Sequence, residues 1–500
     1  MISMNIKHFV QQDTLAARCI RACGWGFAGG MAQQILRLVR LQVLAWILLP
    51  SDFGVMSLIS GVLLMLQALS DAGMQQALIQ NPGGEYDDYL NSAWSINLVR
   101  NIGLMILVFF GAPFVSMLGG VYASEQFVPL LRLSALILFF DGYTNVSLIL
   151  MQKRLEFKRY KLILFSAHFI GLIFAIITAY IFKSALALVL SEIIVVASIC
   201  FMSYKFHKYR PRFSFNYAIV KELLKYGFMV YILTIGFQLS VKVDIFYLGL
   251  ISDETTLGIY NLAMVVIIAS STLFLQINIS IGFPTLAKIQ FDNDRLQRVM
   301  IQIVKITQST TIPFFFALYV YSDIVVMVLP EKYRDIGTLL SYLSVYGYSL
   351  AYVGQFSPIY YVTKKLHWLL INRLFQLCIL ASLFIPFYKS YQINGICLAV
   401  TLALIGANIF ITITSFIVFQ WPIIVWIKRL TSVIIATVAG ALIYFISLYI
   451  LSKHSELNES HRSYLSGLFA LIGYGLLMVR EYRDRLSGYL NRQNNMSTLT

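Results

Sequence analysis

The chain has 500 residues, of which 59% are hydrophobic and only 12% charged, and its mean hydropathy is +0.75. A soluble chain carries about 25% charged residues, so this composition leaves no room for a sizeable soluble domain. The formal net charge of +15 must then be explained by where the basic residues sit, and it is not in itself a sign of nucleic-acid binding.

Apolar runs of about 20 residues, each long enough to cross a bilayer as a helix, recur from end to end. In chain order the pattern predicts fourteen spans, at about 22–49, 53–80, 89–117, 126–150, 161–182, 184–204, 222–250, 257–286, 299–328, 336–362, 366–388, 391–420, 430–451 and 463–479. The expected fold is therefore an all-α polytopic membrane protein. Its expected parts are an N-terminal segment (1–21), a six-helix lobe (22–204), a basic linker (205–221), a second six-helix lobe (222–420), two further helices (421–479) and a tail (480–500). With the N-terminus placed in the cytoplasm, the inside connections hold 25 Lys and Arg residues against 6 outside. That bias predicts two cytoplasmic termini and accounts for most of the net charge. The five cysteines and six histidines are scattered and show no metal-ligand spacing.

Seven basic residues remain inside the expected spans: Arg37, Arg40, Arg100, Arg132, Lys242, Lys305 and Arg373. Each costs about 2.5–3.5 kcal/mol at mid-membrane on insertion scales. Arg373 lies eight residues past Lys365, so its side chain is expected to snorkel to the surface. Four of the others fall on polar stripes: Gln33, Arg37 and Arg40 on span 1, Asn97, Arg100 and Asn101 on span 3, and Gln302, Lys305 and Ser309 on span 9. Such a stripe must face protein or a water-filled cavity, because lipid cannot satisfy it. Pairing with Asp71, Asp141, Glu192 and Asp244 is one solution. Seven bases against four acids leave positive charge over, which suits an anionic ligand.

The chain also repeats itself. Gln33 and Arg37 of MAQQILRLV (31–39) match Gln238 and Lys242 of GFQLSVKV (236–243) at an offset of 205. LLPSDFGVM (48–56) echoes LISDETTLGIY (250–260). At offsets of 209 and 210 respectively, LLRLSAL (130–136) matches LLSYLSV (339–345) and MQKRLEF (151–157) matches YVTKKLH (361–367). Two pseudo-symmetric lobes, each of an even number of spans and hence parallel, are expected to place a substrate site between them near mid-membrane.

The stretch LLPSDFGVMSLISGVLLMLQALSDAGMQQALIQ (48–80), with its S-D-x-G at Ser70, Asp71 and Gly73, resembles the polysaccharide transporter family of the multidrug/oligosaccharidyl-lipid/polysaccharide exporter superfamily. MQKRLEFKRY (151–160) resembles that family's basic loop, and VLPEKYRDIGTLLSYLS (328–344) its short extracytoplasmic turn, with Lys332-Tyr333-Arg334 where a tryptophan is common. The resemblance covers about residues 20–420. It implies a flippase for oligosaccharides on undecaprenyl diphosphate, in the cytoplasmic membrane, acting by alternating access in surface polysaccharide synthesis. It implies no enzymatic step and no cofactor. A proton or sodium gradient would be the drive, since no P-loop is present. The partners implied are the lipid-linked glycan, membrane lipid and the pathway's polymerase and glycosyltransferases, with the protein acting as a monomer. On this reading Arg37, Arg40, Arg100, Arg132, Lys242 and Lys305 hold the diphosphate, and Asp71, Glu192 and Asp244 are the coupling candidates. The rivals are a lipid II flippase, a drug or cation antiporter of the same superfamily, and a membrane polysaccharide polymerase or glycosyltransferase.

Overall fold

The computed structural model describes residues 15–71, 73–81, 83–277, 282–452 and 458–497, and among them every regular element is helical. The N-terminal helix α1 (Leu15–Ile47) begins well before the expected start at residue 22, and residues 1–14 lie outside the described set. Pro50 then opens α2 (Pro50–Ser70), where its missing N–H would be unbonded in any case, and the Asp52 carboxylate accepts the Leu49 N–H at 2.9 Å. The expected span 53–80 is broken. Asp71 accepts the Gly73 N–H at 3.1 Å, and Gly73, at φ 68, turns the chain into a separate short helix, α3 (Met74–Gln80). The S-D-x-G element is thus a helix-breaking turn.

The first lobe continues with α4 (Asp87–Ser116), α5 (Phe127–Tyr143) and α6 (Ser147–Lys153), the last two bent by 57°, then α7 (Phe157–Phe182) and α8 (Leu186–Lys205). The second lobe runs α9 (Tyr217–Ile251), α10 (Glu254–Ile277), α11 (Phe283–Lys288), α12 (Asn293–Val320), α13 (Ser322–Met327), α14 (Ile336–Val362) and α15 (His367–Phe419). At 53 residues α15 would measure about 80 Å if straight, far beyond a bilayer. It breaks at Gln392 (φ 52, ψ −133) and folds back so that Phe375 stacks on Phe410, centroids 5.0 Å apart. It therefore carries expected spans 11 and 12. The hairpin of α16 (Ile423–Ser452) and α17 (Glu459–Ser497) completes the chain and packs on α12.

Ten described helices are long and apolar enough to cross a membrane, or eleven with the bent α5–α6 pair counted as one span. Two more counterparts of expected spans, α1 and α14, fall outside that set. Pro113 and Pro313 sit inside α4 and α12 without ending them.

One apolar core joins the lobes, with Leu44, Phe53 and Leu58 of the first lobe packed among Ile245, Tyr260, Met264 and Leu340 of the second. Where α2 crosses α10, a Cβ on Gly54 would overlap the Glu254 carbonyl and one on Gly258 the Pro50 carbonyl. These glycines stand 204 residues apart, at equivalent places in the two repeats. The Tyr333 hydroxyl donates to the Leu48 carbonyl at 2.9 Å beside this crossing, so the tyrosine of the departing turn has its own task in closing that end. At the opposite end, where the basic connections gather, Glu222 of α9 accepts from Asn81 Nδ2 and the Tyr89 hydroxyl, each at 2.8 Å. The 205–221 connection is laced to the first lobe through Tyr209 and Arg212 to Asn91, and Ser214 to Ser95.

Candidate functional site in the inter-lobe cleft

Arg37 of α1 and Lys242 of α9 line one small cavity between the lobes, of about 40 Å³, with Val241, Ile245, Asn261, Met264, Val265 and Ile268. The repeat explains the meeting: residues related by an offset of 205 occupy matching places on matching helices, and the pseudo-twofold brings both to the shared seam. No carboxylate lines this cavity, and neither cation makes a hydrogen bond or ion pair among the described residues. Arg37 also stays accessible although it lies deep in α1, so space adjoins it where a packed helix would leave none. A cavity of this size takes a few waters and no sugar.

The other expected site residues do not join this pair. Arg40 Nη1 pairs with Glu192 at 3.1 Å and its Nη2 donates to Ser191 at 2.5 Å, which binds α1 to α8 within the first lobe. Arg100 pairs with Asp71 at 3.3 Å and donates to Asn97 at 2.8 Å. Arg132 is exposed, donates to the Phe109 carbonyl at 3.1 Å and lies 5.4 Å above the Phe109 ring, on the first lobe's own surface. Lys305 is buried and reaches Glu481 of α17 at 2.7 Å. Of the coupling candidates, Asp71 and Glu192 serve these ion pairs. Asp244 is buried, accepting the Tyr260 hydroxyl at 2.5 Å and the Ile245 N–H at 2.8 Å.

Two features escaped sequence reasoning. Asn261 enters the cavity wall from a helix whose pattern reads as plain apolar span. Arg373, expected to snorkel, is half-buried, donates to Gln376 at 2.9 Å and lies 5.2 Å above the Phe237 ring.

Solved structures show the same fold. The lipid II flippase MurJ in an inward closed conformation superposes with a TM-score of 0.70 at 18% identity, covering 92% of this chain and 99% of that one. An inward-facing multidrug resistance MATE family transporter of the MOP superfamily gives 0.59 at 16% identity, covering 77% and 94%. Among curated proteins, the lipopolysaccharide biosynthesis protein WzxC of Escherichia coli (strain K12) is 26% identical over 67% of this chain and 68% of its own. The succinoglycan biosynthesis transport protein ExoT of Rhizobium meliloti (strain 1021) is 25% identical over 62% of each. Residues 43–337, more than half of the chain, match the family model described as polysaccharide biosynthesis protein, and the chain belongs to that family, whose relatives here include a transport protein.

Proposed function

We propose that this protein is a flippase that carries a glycan linked to a polyprenyl diphosphate across the cytoplasmic membrane, with both termini in the cytoplasm. The observation that carries the reading is the Arg37–Lys242 pair: two cations, one from each lobe, beside one cavity that no carboxylate lines. Two unit charges of like sign in a low-dielectric seam repel each other strongly, and neither is held in a salt bridge among the described residues. A diphosphate brings the missing negative charge. The arginine fork suits its paired oxygens, and the lysine supplies a point charge.

The prenyl chain stays in lipid while the lobes rock about the bound diphosphate. The α2–α10 crossing closes one end and the Glu222 clasp the other, so each phase of the cycle releases one of them. The drive is a proton or sodium gradient. Asp244 is the foremost carrier, because its environment holds one hydroxyl and one backbone N–H and no cation within salt-bridge distance. Asp71 and Glu192 are already engaged by arginines. A lipid II flippase is the competing reading on the same fold, and the family match with its polysaccharide relatives favours the glycan.

The test is transport by inserted protein. Loss of one charge-assisted phosphate contact costs roughly 1.5–3 kcal/mol, or about one to two decades in affinity. Arg37→Ala and Lys242→Ala are each expected to reduce both export and binding of polyprenyl diphosphate by that factor at normal membrane levels. Arg37→Lys recovers part of it, having lost the fork. Wild-type export by the double Ala variant would sink the assignment.

A further inference from the structure

We infer that a separate anion site lies at the basic end of the second lobe, shaped for the phosphodiester headgroup of an anionic phospholipid in the adjoining leaflet. A cavity of about 570 Å³ opens there between three connections, lined by Gln290, Phe291 and Asn293, by Thr363, Lys364 and Lys365, and by Phe419 and Gln420. Its lining holds two lysines and no carboxylate. Nearby Asp292 is engaged, capping α12 through the Arg295 N–H at 2.9 Å. Asp294 is exposed at the start of α12, with Arg295 and Arg298 beside it.

The backbone gives an independent reason to regard the side chains as selected. Lys364 (φ 59) and Gln420 (φ 54) both occupy the left-handed region just past a helix end, where glycine is the favoured residue. A non-glycine residue there carries backbone strain that glycine would avoid. The matching turn of the first lobe carries Leu155 at φ 61, so the turn itself does not call for a charge. In the second lobe it presents a lysine into a cavity. Lys365 is fixed in the wall: its Nζ donates to the Val418 carbonyl at 3.1 Å and stands 4.6 Å from the Phe419 ring centre. Lys364 is exposed and makes no side-chain hydrogen bond or ion pair among the described residues.

Lipid, rather than a free anion, fits the surroundings. Phe291 at the cavity rim is 96% exposed, and Phe419, Trp421 and Trp426 stack behind it. An aromatic group beside lysines at the ends of spans marks the headgroup level of a bilayer. Basic pockets between spans on the cytoplasmic side are suited to anionic headgroups. An inserted Phe291 would seat in the acyl region while the lysines meet the phosphate. The site is distinct from the Arg37–Lys242 cavity and does not depend on it.

The experiment uses the purified full chain in micelles, titrated with phosphatidylglycerol, with phosphatidylcholine and with inorganic phosphate, and read by native mass spectrometry. Phosphatidylglycerol is expected to bind at least about tenfold tighter than phosphatidylcholine. Lys364→Gln should weaken it three- to tenfold, Lys364→Arg should retain it, and the Arg37→Ala/Lys242→Ala double variant should leave it unchanged. Equal binding of the two lipids, or no effect of Lys364→Gln, would overturn the site. Displacement of the lipid by millimolar phosphate would overturn its assignment to a headgroup.

Discussion

A single arginine separates two roles that sequence alone merges. Arg40 shares a stripe with Arg37, yet its guanidinium is held by Glu192 and Ser191 in one lobe. Removing one partner leaves a half-buried charge alone, a larger penalty than the pair itself contributes. Arg40→Gln is therefore expected to lower the amount of folded protein in the membrane, and Arg40→Gln with Glu192→Gln to restore much of it. Quantifying both variants by fluorescence-detected chromatography checks this. A double variant no better than the single would return Arg40 to the binding role. The same comparison shows what was legible. Arg37 and Lys242 could be paired because the repeat itself relates them. Arg100, Arg132 and Lys305 could not be separated from them, because a base with a counter-ion has the same pattern along its own helix as a base without one. The deciding partners lie far off in the chain: Glu192 is 152 residues from Arg40, and Glu481 is 176 residues from Lys305.

Elements were read well where hydrophobic length decides and poorly where a single turn does. Long apolar runs give the spans, and the break at Gln392 falls beside the expected boundary between spans 11 and 12, but Asp71 and Gly73 cut span 2. That cut depends on a single turn, which a reading by hydrophobic length passes over. The echo between 48–56 and 250–260 has its physical content in the crossing of α2 and α10. Only glycine at 54 and 258 lets the two backbones approach so closely. Gly258→Leu is expected to force the helices apart and hold that end open. Spin labels on the first turns of α2 and α10 should then show a longer distance distribution than in the otherwise wild-type chain. An unchanged distribution would mean that the crossing does not set closure. The clasp at the other end makes the converse prediction. Glu222→Ala removes the acceptor for Asn81 and Tyr89, so labels across α3 and α9 should separate while the α2–α10 distance stays short.

For the whole molecule, the proposed orientation and the relative direction of the last helices rest on two features that must agree. The first is the distribution of basic residues, 25 in one set of connections against 6 in the other. The second is the buried Lys305–Glu481 pair. Lys305 lies twelve residues into α12, about 18 Å from its start, and Glu481 twenty-two residues into α17, about 33 Å from its start. The two can meet near one level only if the helices run in opposite directions. The Tyr321 hydroxyl, just past the far end of α12, donates to the Tyr464 carbonyl near the start of α17 at 2.8 Å, as that arrangement requires. If α12 rises from the basic face, α17 must start at the opposite face and descend. A reporter fused after residue 485 is then expected to read cytoplasmic, and one inserted at Asn458 to read outside. Both on the same side would contradict α17 as a span, and exchange of the two would reverse the entire chain. The pairing itself is tested by Glu481→Lys, which sets two cations together in a half-buried place and should detach the α16–α17 hairpin from α12. Lys305→Glu in the same chain should reattach it, with protease protection of the hairpin as the measure. Failure of the charge reversal to restore protection would show that apolar packing alone, through Val433, Ala436 and Met478 around Ile312, holds these last two helices in place.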